Sequence, residues 1–266
     1  MTAPTPVVHD TMLPVRFEPP LRNPAPAGLF AAVQWTAVGP DEPSRHLSGV
    51  EVREVGNYPG LQVGVWERAW CRPPAPTGSD RKSGTRGDVL DAFEPVVVWA
   101  FDSCDLTEPS RREVEARAAQ ALRVRESVVV GRDFADRLLA DAGTPTSAED
   151  AVAALGHLEG VLAEANTIAL VHASPVLLPV LVSAHLVTRS GAGWVTPAGH
   201  SLVIGGGYLT GLGATLVATS APLFGWRDNP QVRTAIDEKA NTFIAVAERT
   251  VVIGYEAALA AVTVTP

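Results

Sequence analysis

Apolar residues recur at helical spacing over one long stretch, Thr107 to Gly143. There Val114, Ala118, Leu122, Val129, Phe134 and Leu138 form a stripe, with arginine and glutamate on the other face. The spacing predicts a long surface helix. Thr107 or Ser110 can cap its start, Pro109 and Glu113 suit its first turn, and Gly143 with Pro145 can stop it. The run Val128 to Gly131 joins β-branched residues to a glycine, so a bend is expected there.

The pattern on either side of this helix is unequal. Residues 1–27 carry Pro4, Pro6, Pro14, Pro19, Pro20, Pro24 and Pro26, which forbid helix and central strand and predict an extended arm. Its Val7, Val8, Met12, Leu13, Val15 and Phe17 are too apolar for a solvated tail, so the arm needs a surface to receive it. From Leu29 the pattern turns to strands: LFAAVQWTAV, VEVREV and LQVGVWERAWC, separated by turn-rich segments. The polar, glycine-containing stretch Pro73 to Asp88 reads as a mobile tip, and FEPVVVWAF (93–101) as the returning strand. Residues 45–102 thus form a long β excursion.

Beyond the long helix the pattern predicts a compact α+β unit. A second helix spans Ser147 to Asn166, capped by Ser147, and TIALVH (167–172) is a buried strand. Ser174 caps a third helix, with Pro175 at its first position. Strands follow at 193–195, 201–204, 215–219 and 223–226; 231–241 is helical or irregular, and two long β segments close the chain.

Composition narrows the function. The chain has 266 residues, 46% of them hydrophobic and 19% charged, enough for a real core. The N-terminus MTAPTPVVHD has neither the basic nor the apolar region of a signal peptide, and no apolar run approaches the roughly 20 residues of a membrane span. A cytoplasmic, soluble protein without membrane partners is expected. The net charge of −8 argues against a dedicated nucleic-acid binder. Cys71 and Cys104 fit no metal spacing and read as free thiols. Arginine far outnumbers lysine, with Lys82 and Lys239 the only lysines, a bias of GC-rich genomes.

No constellation supports chemistry. The cluster IGGGYLTGLG (204–213) is followed by the strand ATLVAT, where a dinucleotide site requires a helix N-terminus, so it reads as a glycine-rich hairpin loop. His172, His185 and His200 have no metal-ligand spacing, and GxSxG, Walker and CxxC motifs are absent. Glu248 and Arg249 point to opposite faces of a strand and read as structural charges paired with neighbours. The six tryptophans, Trp66 and Trp70 among them, are spread along the chain as core and interface anchors. No catalytic residue, cofactor or metal is expected.

The element order from Ser147 onward, through TIALVHASPVLLPVLVSAHLV, GAGWVTPAGHSLVIGGGY, GATLVATSAPLFGWRD and NTFIAVAERTVVIGYEAALAAVTV, resembles the major capsid proteins of tailed bacteriophages. That is the Hong Kong 97 fold, shared with encapsulin shells. The terminal ERTVVIGY strand resembles actinobacterial phage head proteins. The resemblance implies an N-terminal arm (1–27), the start of a peripheral domain (28–44), an extended β loop (45–102) with its tip at 73–88, and a spine helix (103–145). An axial domain (146–228) and return strands of the peripheral domain (229–266) complete it. It further implies a structural shell subunit of the virion, assembled in the host cytoplasm into pentamers and hexamers around double-stranded DNA. Scaffolding, portal or decoration proteins are its other partners. Val7, Val8, Leu13, Phe17, Trp66 and Trp70 are the expected inter-subunit contacts. Some family members join a loop lysine to a neighbour's asparagine, which singles out Lys82 with Asn229 or Asn241. An encapsulin-type compartment shell is the alternative, and a small α/β enzyme a more distant one.

Overall fold

The computed structural model describes residues 15, 17–36, 45–53, 56–58, 63–66, 71, 77–78, 81–87 and 89–265. In chain order the elements are α1 (Leu29–Ala32), β1 (Val33–Thr36), β2 (Val96–Asp105), α2 (Glu108–Ala142), β3 (Thr146–Ala148) and α3 (Ala151–Ala165). They continue with β4 (Ala169–Ala173), α4 (Leu178–Ser183), β5 (Thr188–Ser190), β6 (Gly193–Val195), β7 (Ser201–Ile204) and α5 (Tyr208–Gly211). The last are β8 (Thr215–Ser220), β9 (Leu223–Arg227), β10 (Gln231–Asp237), β11 (Thr242–Gly254) and β12 (Ala258–Val264). Two sheets result. One runs β1-β9-β11-β10 with β2 also paired to β11; the other runs β3-β12-β8-β4-β7-β6-β5.

Helix α2 belongs to both halves of the core. Its buried residues Val114, Ala118, Leu122, Glu126, Val130, Phe134 and Leu138 are spaced by four throughout. Since four residues turn about 400°, such a stripe precesses around the helix axis. Its early turns meet β2 and β11, and its later ones α5, β8 and β12. Val129, expected in the stripe, is instead exposed, because the seam passes through Glu126 to Val130. Thr107 occupies the N-cap position without capping through its side chain. Its hydroxyl donates to Ser110 Oγ (3.0 Å), while Asp105 Oδ1 accepts from the Thr107 N–H (2.8 Å).

Other boundaries differ from expectation for local reasons. Helix α3 is capped by Asp150, whose Oδ1 accepts from the Ala153 N–H at 2.7 Å; Ser147 is occupied in β3, pairing parallel to β12. Ser174 does not cap a helix, because residues 174–177 form turns and α4 begins only at Leu178. The segment 231–237, read as helical or irregular, is the strand β10, exposed along its length and held by its ladder to β11. No burial pattern marks such a strand. Leu29–Ala32 is a helical turn ahead of the short β1, not the start of one long strand. Among the described residues of VEVREV only Val50 pairs, bridging Phe93, and described residues 63–66 of the next expected strand carry no ladder.

An edge-to-face file of rings threads the core from Phe93 through Tyr255, Phe134 and His172 to Tyr208, with centroids 5.0–5.9 Å apart. His172 is wholly buried, its Nδ1 2.8 Å from Tyr208 Oη and its Nε2 2.9 Å from Thr219 Oγ1. Burial pushes its pKa down to about 3, so the folded chain holds a neutral imidazole. The unfolded chain takes up that proton from pH 6.5 downward, so this contribution is intact above pH 6.5 and is lost as pH falls toward about 3. Urea unfolding between pH 7 and 4 is expected to show a steeper loss of stability in the wild type than in His172→Gln. Equal slopes would remove His172 as the cause.

Helix α3 carries two glycines with open space around their Cβ positions, Gly156 and Gly160. Replacing either by alanine is expected to raise stability by about 0.4–1 kcal/mol, measurable as a higher thermal midpoint.

Candidate assembly surface

The excursion that leaves the body after β1 and returns at β2 is fastened at its base. Arg137 on α2 donates to the carbonyls of Asp91 (2.6 Å) and Ala92 (3.1 Å) and to Asp141 Oδ2 (2.7 Å), and its guanidinium lies 4.3 Å over the Phe93 ring. Tyr255 donates its hydroxyl to the same Asp141 oxygen at 2.7 Å; burial, and then that bond, hold its pKa above the ordinary tyrosine value. Asn57 Nδ2 donates to both oxygens of Glu256 (2.8 and 2.9 Å), and His46 Nε2 faces Asp228 at 3.3 Å. Further along the excursion Val63 and Val65 are 83% and 87% exposed.

The arm is fastened at its base too. Gln120 donates to the Arg22 carbonyl at 2.6 Å, and Arg123 bonds Asn23. Residues 24–27 close a cavity of about 480 Å³ against α2, β10 and β11. Beside it the buried pair Glu126–Arg249 (2.5 Å) ties helix to sheet, and Arg227 stacks at 4.1 Å on Trp35. Burial lowers the Arg227 pKa, and the neighbouring Arg249 charge adds to that. Before this base, Phe17 and Val15 are exposed.

The sheet has one covered face and one open one. Val98, Ala245, Ala247 and Val251 face α2 and are buried. The alternate residues of β2, Val97, Trp99 and Phe101, face the other way, beside Val246 and Ile244 of β11. Trp99 is 65% and Phe101 53% exposed. Glu248 lies on this face with Arg233 at 3.2 Å, while Arg249 faces inward, so the two neighbours do diverge and pair separately.

Of the contacts named from sequence, Phe17 and Trp66 lie at the surface; Val7, Val8, Leu13 and Trp70 fall outside the described residues. Lys82 sits 5.3 Å over the Trp66 ring. Asn229 follows β9, and Asn241 lies in the β10–β11 turn with φ 52°. No hydrogen bond joins Lys82 to either asparagine within the chain. Both cysteines are free and exposed. Among the described residues no three acidic, histidine or cysteine side chains gather as a metal site, and no helix is long and apolar enough to cross a membrane. His200 accepts from the Ala169 N–H through Nδ1 (3.1 Å) and faces Glu159, far from a shared role with His172.

Sequence reasoning missed the functional weight of Arg137, Glu126 and the exposed β2 face. Polar residues break an apolar count, and the outward side of FEPVVVWAF is as apolar as its inward side. It also read 204–213 as a hairpin loop; the segment holds α5, pressed backbone to backbone on α2.

Neither protein-family models nor curated proteins give a match to this chain. Solved structures do. The mature capsid of bacteriophage PhiM1 is similar over 97% of this chain and 92% of that one, at 14% identity and a TM-score of 0.53. The holo-SrpI encapsulin complex of Synechococcus elongatus PCC 7942 is similar over 96% and 92%, at 11% identity and a TM-score of 0.53. The α+β, Hong Kong 97-like fold expected from the element order is the fold of this chain.

Proposed function

We propose that this chain is the major head-shell subunit of a tailed bacteriophage, a structural protein that assembles with copies of itself into pentamers and hexamers of an icosahedral shell. The observation that carries the reading is the likeness to a mature capsid subunit along nearly the whole length of both chains. In this reading α2 with the first sheet forms the peripheral domain and the second sheet with α3 and α4 the axial domain. Residues 1–27 are the arm and the excursion before β2 is the extended loop. The physical case agrees. Ordering each extended residue costs about 1–2 kcal/mol, so an arm and a loop that expose valines and a phenylalanine persist when neighbours bury them. Double-stranded DNA inside would be contacted without sequence preference, and the virion is its destination.

Negative-stain microscopy tests this. The purified chain is expected as rings or particles far above its 27.9 kDa mass; a compact monomer at high concentration would refute the reading. The encapsulin likeness, with an equal TM-score, supports a second reading as a compartment shell. An enzyme found packaged in native particles, in place of DNA, would select it.

Because the arm's base from Arg22 onward packs on its own α2, the cut that isolates its outer part lies before it. Removing residues 1–21 is expected to leave the protomer's unfolding midpoint within about 0.5 kcal/mol, as for surface changes generally, while raising the concentration needed for assembly. A matching loss of protomer stability would place the outer arm on its own core.

A further inference from the structure

We propose that the cavity under the base of the arm binds a neutral, largely apolar small molecule that presents one hydroxyl group, a site independent of the shell reading. The cavity measures about 480 Å³, within the roughly 300–1,000 Å³ of small-molecule sites. Much of its wall is apolar: Pro24 and Pro26 of the arm, Phe30, Leu122 of α2, Val232 of β10 and Ala247 of β11. Glu126 and Arg249 line it too, and they supply the polar groups that a ligand would meet.

That pair is only half closed. An arginine and a carboxylate can meet through two parallel bonds, but here Arg249 Nη2 alone reaches Glu126, bonding Oε2 at 2.5 Å, while Nη1 donates to the Asp228 carbonyl at 3.4 Å. Glu126 Oε1 and Arg249 Nε are each buried without a hydrogen bond, and the Glu126 side chain is 4% exposed. Unpaired buried polar atoms are costly, so the pair calls for one group that accepts from the Nε–H and donates to Oε1. A hydroxyl does both through a single atom. A carboxylate would satisfy Nε but set a like charge against Oε1. An ammonium would satisfy Oε1 but lie beside Arg249 and Arg227, two cations of which the first already lowers the pKa of the second. A water molecule makes the same bridge, yet leaves the apolar walls wet. An apolar body attached to the hydroxyl covers them, which makes the ligand neutral, apolar in bulk and hydroxylated at one end.

Saturation-transfer NMR on the full chain tests this with four probes that share one ring: benzyl alcohol, toluene, benzoate and benzylamine. Benzyl alcohol is expected to bind at least tenfold more tightly than each of the others. Ala119 is exposed on α2 and lines the cavity, so Ala119→Trp should fill it without disturbing the core. That variant is expected to lose the transfer to benzyl alcohol while keeping the circular dichroism and thermal midpoint of the wild type. In Glu126→Met with Arg249→Met, the advantage of benzyl alcohol over toluene is expected to fall below twofold. The absence of transfer to benzyl alcohol in the wild type would mean that water alone fills the cavity. Transfer that persists in Ala119→Trp would place the binding elsewhere, a preference for any other probe would refute the hydroxyl, and an advantage retained in the double variant would refute the role of the pair. Each of these overturns the proposal, and none bears on the shell reading, which microscopy decides.

Discussion

Glu126→Ala is expected to destabilise the protomer by about 3–5 kcal/mol, the cost of leaving a buried charge without its partner. The Glu126 side chain is 4% exposed and that of Arg249 14%, with Oε2 2.5 Å from the guanidinium. Glu126 stands in the middle of the α2 seam, and Arg249 comes from the central strand β11, so the pair sits where helix meets sheet. Without the carboxylate, Arg249 keeps a long 3.4 Å bond to the Asp228 carbonyl and faces Arg227, a second cation that it already disfavours. Neither partner is fully satisfied: Glu126 Oε1 and Arg249 Nε are buried with no hydrogen bond. Replacing both by apolar residues of similar volume, Glu126→Met with Arg249→Met, is therefore expected to recover most of the loss. Urea unfolding followed by tryptophan fluorescence measures both. A single variant within about 1 kcal/mol of wild type would show that the pair is hydrated in solution.

How much of this was legible in the sequence divides along a physical line. Elements whose burial alternates or recurs at a fixed period were readable: α2 by its stripe, β11 by its alternation, β6 and β7 with their ends placed correctly. Elements that owe their existence to a partner were not. Strand β10 has no buried face and forms because β11 offers a ladder; β3 forms because β12 does, and in doing so it moves the start of α3 from Ser147 to Asp150. Residues 63–66 show the converse. Their apolar alternation predicts a strand, yet among the described residues they carry no ladder. The candidate surface was half legible. The outer arm and loop stood out because apolar residues among prolines and glycines need a cover. The open sheet face did not, because Val97, Trp99 and Phe101 alternate with residues as apolar as themselves, and only the placement of α2 decides which side is open.

The glycines of 204–213 were legible as residues and not as a contact, and they carry the second large effect. Gly207→Ala is expected to cost about 3 kcal/mol or more, the upper end of overpacking changes. An added Cβ would stand 2.5 Å from Arg132 N, Gly131 C and Val128 O, all main-chain atoms of α2 that cannot swing aside. Helix α5 would have to retreat, taking with it the fully buried Tyr208 and its bond to His172. Gly211→Ala meets a different obstacle, the side-chain Cβ of Ala135 at 2.4 Å. That clash can be relieved by exchanging sizes, so Ala135→Gly with Gly211→Ala is expected to regain stability beyond the single variant, less the cost of about 1 kcal/mol for glycine inside α2. Adding Ala135→Gly to Gly207→Ala should recover nothing, because the atoms in the way there are backbone. Thermal unfolding of the four variants decides it: rescue of Gly207→Ala by Ala135→Gly, or a tolerated Gly207→Ala, would mean that α5 and α2 do not touch through their main chains.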